Sequence, residues 1–311
     1  MVFKELFAPA TPYANYELVP SEIAKITPAI VKDFHRRFYV PKNATVVIAG
    51  DVEPEAATAL AERVFGGWAG ADPPKVEFPA ATKETRRHVI VANRPKSVQS
   101  DVFVVGLGPA RNSAEWPQIR VANQIVGGGV ASRLFLDVRE QRSLAYSAYS
   151  RILELAHGEQ PVVAYAGTET SKTGLAVQGL LENLEKVSRA GVTPQETETA
   201  RRYLSDIFAI RMETIGAIAD LVVEADTLGL PDGYWDTYRA AVRSVGPAEA
   251  GSAAGKVFHA DRAIVVVAGD ADAIVPALSH FGEVTVVDPE HEFKVVKSVP
   301  ENKNASLEPT K

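Results

Sequence analysis

Arg139 and Tyr146 stand seven positions apart in the stretch Val138 to Ser147, where a helical pattern gives way to a strand. If the helix stops near Gln141, a guanidinium and a phenol converge in front of a sheet. Together they would offer hydrogen-bond donors to a carbonyl oxygen that turns into an oxyanion during acyl transfer. The same residue types have a plainer reading, in which Arg139 pairs with Glu140 or another surface acid and Tyr146 is a half-buried strand residue. Spacing alone leaves both open. Just upstream, Gly127-Gly128-Gly129 interrupts a helix. No Lys-Ser/Thr follows it and it does not sit between a strand and a helix, so it is not a phosphate loop. On the residues alone it reads as a helix stop and re-entry that needs positive φ.

Metal chemistry has little to work with. The chain has no cysteine, which removes thiol nucleophiles, disulfides and sulfur zinc sites. Its six histidines, His35, His88, His157, His259, His280 and His291, are scattered, and neither H-E-x-x-H nor H-x-x-E-H occurs. Glu290-His291-Glu292 is the densest cluster, but adjacent residues on an extended segment do not face one ion together. The metal expectation for this chain is therefore none.

The elements that would carry these residues belong to a soluble globular chain of 311 residues with 33 basic and 39 acidic side chains. The net charge of -6 and the absence of long single-sign blocks argue against nucleic acid or anionic lipid as partners. No apolar run approaches the roughly 18 to 20 residues that cross a bilayer, and the start does not read as a signal peptide. Both the periplasm and the cytoplasm stay open.

An internal repeat organises the chain. Residues 44–52, Ala-Thr-Val-Val-Ile-Ala-Gly-Asp-Val, align without gaps on residues 263–271, Ala-Ile-Val-Val-Val-Ala-Gly-Asp-Ala, at an offset of 219. The same offset pairs Pro28 with Pro247 and Tyr39 with Phe258, and each copy closes on Phe-Gly, at Phe65-Gly66 and Phe281-Gly282. Each copy reads as helix, β-branched strand, Gly-Asp turn and second helix. An offset of this size implies one complete unit over 73–291 and the last third of a homologous unit over 1–72. The absent part of the first is about 140 to 150 residues. A domain without most of its sheet exposes apolar surface, so something must complete it. Residues 292–311 read as a disordered tail.

Within the complete unit, strands are expected near 86–93, 98–107, 143–155 and 161–168. Helices are expected over 113–125, through Arg133-Leu134-Phe135 to Arg139, over 175–187, and from Thr193, where Thr193 and Glu196 form a capping box. Blocks of strands and blocks of helices predict an α+β sandwich with helices packed on a largely antiparallel sheet.

The segment Asn123 to Ser147, with its glycine run, Arg139 and Tyr146, resembles the second domain of the pitrilysin/insulinase-type zinc metallopeptidases, the family of mitochondrial processing peptidase. Residues 26–68, including Phe34-His35-Arg36-Arg37-Phe38-Tyr39 and Gly50-Asp51, resemble the closing third of that family's first domain. The resemblance implies two homologous α+β domains of about 220 residues facing each other. It implies zinc in the missing or partner half, a peptide substrate, and a second-domain surface in which Arg139 and Tyr146 hold the substrate carbonyl while Gly127, Gly128 and Gly129 shape the wall. The partners it implies are the missing N-terminal half, a zinc-bearing homologous subunit or a second copy. On this reading the chain by itself is inactive; the alternative is a scaffolding homologue that keeps the fold without catalysis.

Overall fold

The computed structural model describes residues 2–16, 20–81 and 86–307. Helices α1 (Val2–Leu6), α2 (Pro20–Ile23), α3 (Pro28–Phe38) and α4 (Pro54–Phe65) precede the sheet. The strands are β1 (His88–Asn93), β2 (Gln99–Ala110), β3 (Ala145–Ile152), β4 (Glu159–Glu169), β5 (Ile264–Gly269), β6 (Val284–Asp288) and β7 (Lys294–Val299). They form one sheet in the order β3-β4-β2-β5-β1-β6-β7. β1 runs parallel to β5 and β6, and the remaining neighbours are antiparallel. The expected α+β sandwich is the fold observed.

Side-chain alternation decides what each face of the sheet meets. Val89, Val91, Val102, Val104, Val265 and Val267 point to one face. There they pack against α5 (Trp116–Gly127), α6 (Thr173–Ala190), α10 (Pro247–Val257) and α11 (Ala271–Leu278). A further layer, α7 (Pro194–Arg211), α8 (Ile215–Thr227) and α9 (Tyr234–Ser244), covers the outer side of α5 through Val121 and Ile125. The opposite face, with Ile90, Ala92, Val105, Ile264 and Val266, carries no long helix. The N-terminal segment lies on it, burying Phe3, Leu6 and Phe7. β5, central and buried on both faces, accordingly reads as an unbroken apolar run.

Two expectations need correction. Residues 44–49 carry the repeat of β5 but form no strand. β5 is a strand because β2 and β1 flank it, and residues 44–49 have no such neighbours among the described residues. The tail expected to be disordered from residue 292 instead holds β7, antiparallel to β6. Val295, Val296 and Val299 suit a strand, while Lys294 and Lys297 are typical of a solvent-facing sheet edge. Beyond it the Asn302 amide donates to the Ser279 carbonyl at 2.9 Å, and Leu307 packs on the main core.

Candidate functional site

The path from α5 to β3 positions the candidate residues, and it begins with a close approach. A Cβ on Gly127 would lie 2.0 Å from the Ser150 amide nitrogen and 2.6 Å from its hydroxyl, so the end of α5 sits directly against β3. Next to this contact the Ser150 hydroxyl donates to the Asn123 side-chain oxygen at 2.9 Å, both residues being buried. None of the three glycines has a positive φ, contrary to the expected turn. Gly127 is required by backbone proximity rather than by handedness. Gly129 borders a cleft of about 250 Å³ with Gln124, Val130, Glu196 and Tyr203, and neither Arg139 nor Tyr146 lines it.

Arg133 then fastens the chain to the start of α7. Its guanidinium donates to both carboxylate oxygens of Glu196, at 2.6 and 2.9 Å, and to the Gly191 carbonyl at 3.0 Å. Glu196 also receives the Thr193 amide at 2.8 Å, completing the expected capping box. The Arg133 guanidinium holds the Glu196 carboxyl at about 2, well below its ordinary value. A depressed carboxylate stabilises the fold above its ordinary value of about pH 4.5, and that stabilisation is lost as pH falls toward about 2. Glu196→Gln is therefore expected to lower stability by about 1–2 kcal/mol at neutral pH. Thermal melts of the two proteins should converge as the pH is lowered below about 4.5; a gap independent of pH would contradict the ion pair's role.

Residues Phe135–Gln141 form a π-helix where a short α-helix was expected. The Arg142 amide reaches back five residues to the Asp137 carbonyl at 3.0 Å, and the Leu144 amide bonds the Val138 carbonyl at 2.9 Å. Single π-turns frequently mark functional sites, because the extra residue rotates the side chains that follow. Leu134 and Val138 are fully buried, and Arg142 is tied to Asp137 at 3.0 Å and Glu182 at 2.7 Å. Ser143 adopts a left-handed conformation with φ 50°, turning the chain into β3. There the register against β4 slips: Ala145 pairs with Thr168 and Ser147 with Gly167, leaving Tyr146 as the extra residue of a bulge. Bulges re-aim a side chain in this way.

The three irregularities converge on one spot. The Arg139 guanidinium lies 4.6 Å from the Phe135 ring centre and 5.2 Å from that of Tyr146, so it is stacked with both rings. Stacking occupies the faces of a guanidinium and leaves its in-plane N–H groups to donate. One of them approaches Glu140 at 3.3 Å, so the plainer pairing is also present. Tyr146 is 83% exposed rather than half-buried. Phe135, four residues before Arg139 and one helical turn away, completes the stack; its i, i+4 spacing was the available clue.

The histidines stay apart. His35 stacks on Tyr39, His157 lies against Phe78, His259 meets Arg262, and His291 pairs with Asp288 at 2.7 Å. Among the described residues no three of His, Asp and Glu are grouped to hold a metal ion. The residues present do not fit a zinc site.

The family model described as the peptidase M16 inactive domain matches residues 25–204. The chain belongs to the peptidase M16 family. An uncharacterized zinc protease of Streptomyces coelicolor is 29% identical over 201 residues, covering 63% of this chain and 43% of that protein. A Helicobacter pylori protein named a non-peptidase homolog is 33% identical over 110 residues, 34% of this chain and 24% of that one. The crystal structure of a peptidase M16 inactive domain from Pseudomonas fluorescens shares the fold, with a TM-score of 0.78 at 21% identity over 86% of this chain and 64% of that one. The M16 chain described here spans less than half the length of the Streptomyces relative. It is an inactive-type M16 domain, and the zinc in the names of its relatives has no ligand set among its described residues.

Proposed function

We propose that this chain is the substrate-holding, non-catalytic part of an M16 zinc peptidase, which binds an extended peptide and presents Arg139 and Tyr146 to the carbonyl under attack. The observation that carries this reading is the stacked Arg139–Tyr146 pair, built by a π-turn, a left-handed serine and a bulge within a dozen residues. Surface arginines pair with neighbours routinely; backbone irregularity spent on aiming two side chains at one point is less usual, and such features cluster at functional sites. Both groups donate, through in-plane guanidinium N–H bonds and a phenolic hydroxyl, so a carbonyl oxygen gaining negative charge is the species they suit. Of the glycine run, Gly129 remains as wall bordering open space, while Gly127 and Gly128 serve the backbone.

Zinc belongs, in this reading, to a complementary body, either attached or a separate subunit. Support comes from the repeat. Val46, Ile48 and Tyr39 are 49%, 41% and 58% exposed, whereas their counterparts Val265, Val267 and Phe258 are 0%, 0% and 2% exposed. The counterparts are covered by β1, β2 and the helices, so a body carrying equivalent strands would cover residues 28–66 and turn 44–49 into a strand. Residues 1–72 then act as the closing third of a homologous unit and residues 73–291 as a complete one. The test is to combine this chain with a zinc-bearing M16 subunit or the missing half: peptide hydrolysis that needs both components supports the reading, and hydrolysis by the zinc-bearing component undiminished without this chain overturns it. The named non-peptidase homologue favours a second reading, a scaffold without catalysis. In that case the reconstituted complex forms but cleaves nothing.

A further inference from the structure

The face of the sheet opposite the helices is covered by an unusual occupant. Residues 2–16 fold as α1 and a 3₁₀ turn over Pro12–Asn15, and they bury Phe3, Leu6 and Phe7 on Ile90, Val105, Ile264 and Val266. These three side chains stand at i, i+3 and i+4, the stripe by which an amphipathic helical peptide lies on an apolar surface. A helix of five residues has almost no stability of its own, so the surface must order it. The segment does not fill the surface: a groove of about 210 Å³ remains beside Leu6, floored by Val105, Leu107 and Ile264 and rimmed by Lys256 and Arg262. Its hydrogen bonds to the rest of the molecule include the His157 amide to the Tyr13 hydroxyl at 3.0 Å, made to a loop rather than to a strand.

We infer that this face is a docking surface for an apolar helical turn of a peptide, and that residues 2–16 are its resident and displaceable occupant. The ligand class is read from the occupant itself: aromatic or aliphatic residues at i, i+3 and i+4, with bulk to spare in the groove beside Leu6. Tethering gives the resident segment an effective concentration on the order of millimolar, so a free peptide of the same chemistry competes poorly until the resident is removed. The inference rests on the packing of this face and is independent of Arg139 and Tyr146.

The test uses the full chain and a fluorescein-labelled synthetic peptide of residues 2–16. In the Phe3→Asp/Phe7→Asp variant the resident loses its anchors, and the labelled peptide is expected to bind saturably, at least tenfold tighter than to the wild-type chain. Adding Leu107→Glu to that variant should abolish the binding, and a labelled peptide carrying the same two aspartates should not bind. Equal affinity for both chains, or no binding to a variant whose circular dichroism and melting remain native-like, overturns the inference. So does a variant that fails to fold, since the segment would then be an integral part of the core rather than a removable occupant.

Discussion

In a peptidase reconstituted from this chain and a zinc-bearing complement, Arg139→Ala is expected to lower turnover by about 10²-fold or more, the cost of losing a donor to a developing oxyanion. Tyr146→Phe removes a single hydroxyl and keeps the ring on which the guanidinium stacks, so it isolates hydrogen bonding from packing. Its loss should fall on kcat with KM little changed, because the donor acts when charge develops on the carbonyl. Phe135→Leu keeps an apolar side chain and removes a cation–π partner worth about 1 kcal/mol at a partly exposed site, so a decrease of roughly fivefold is expected from a loosened Arg139. Steady-state kinetics on the three variants, at matched zinc content, give the ordering Arg139→Ala, Tyr146→Phe, Phe135→Leu. Unchanged rates for the first two would show that the stacked pair is only a surface contact with Glu140 nearby.

Gly127→Ala is expected to destabilise the fold by about 3 kcal/mol, at the upper end for overpacking in a rigid site. The new methyl group would meet the Ser150 amide nitrogen at 2.0 Å and the Tyr149 carbonyl carbon at 2.6 Å, and both are backbone atoms of a strand held on one side by β4. No rotamer change relieves such a clash; α5 or β3 must move. For a protein of this size the melting temperature should fall by roughly 10 °C. Gly129→Ala, facing only the flexible end of Gln124 at 3.3 Å, should leave it nearly unchanged. Thermal melts of the two variants side by side make the comparison, and equal stability would contradict the close approach.

Much of the scaffold was legible before the structure. The apolar run at 264–269, the Gly-Asp turn after it and the capping box at Thr193 and Glu196 each state a local rule that the fold obeys. Residues 44–49 obey the same rule and form no strand, because strand formation depends on neighbouring backbone that no window of sequence contains. β7 escaped notice for the converse reason: an edge strand pairs on one side, so its sequence is allowed to be lysine-rich and exposed. In the candidate site, Arg139 and Tyr146 were legible as residue types and as a resemblance. Their convergence was not, since a π-turn and a bulge each add one residue without a compositional mark. The glycine run was recognised as special but for the wrong reason, a left-handed turn in place of a helix resting against a strand.

The account's central claim is that this chain holds peptide but has no metal of its own, and the zinc content of the purified full-length chain tests it most directly. After equilibration with micromolar zinc and removal of the free ion, elemental analysis should find far less than one zinc per chain, and the protein should cleave no peptide. One tightly held zinc per chain, accompanied by zinc-dependent hydrolysis, would contradict it.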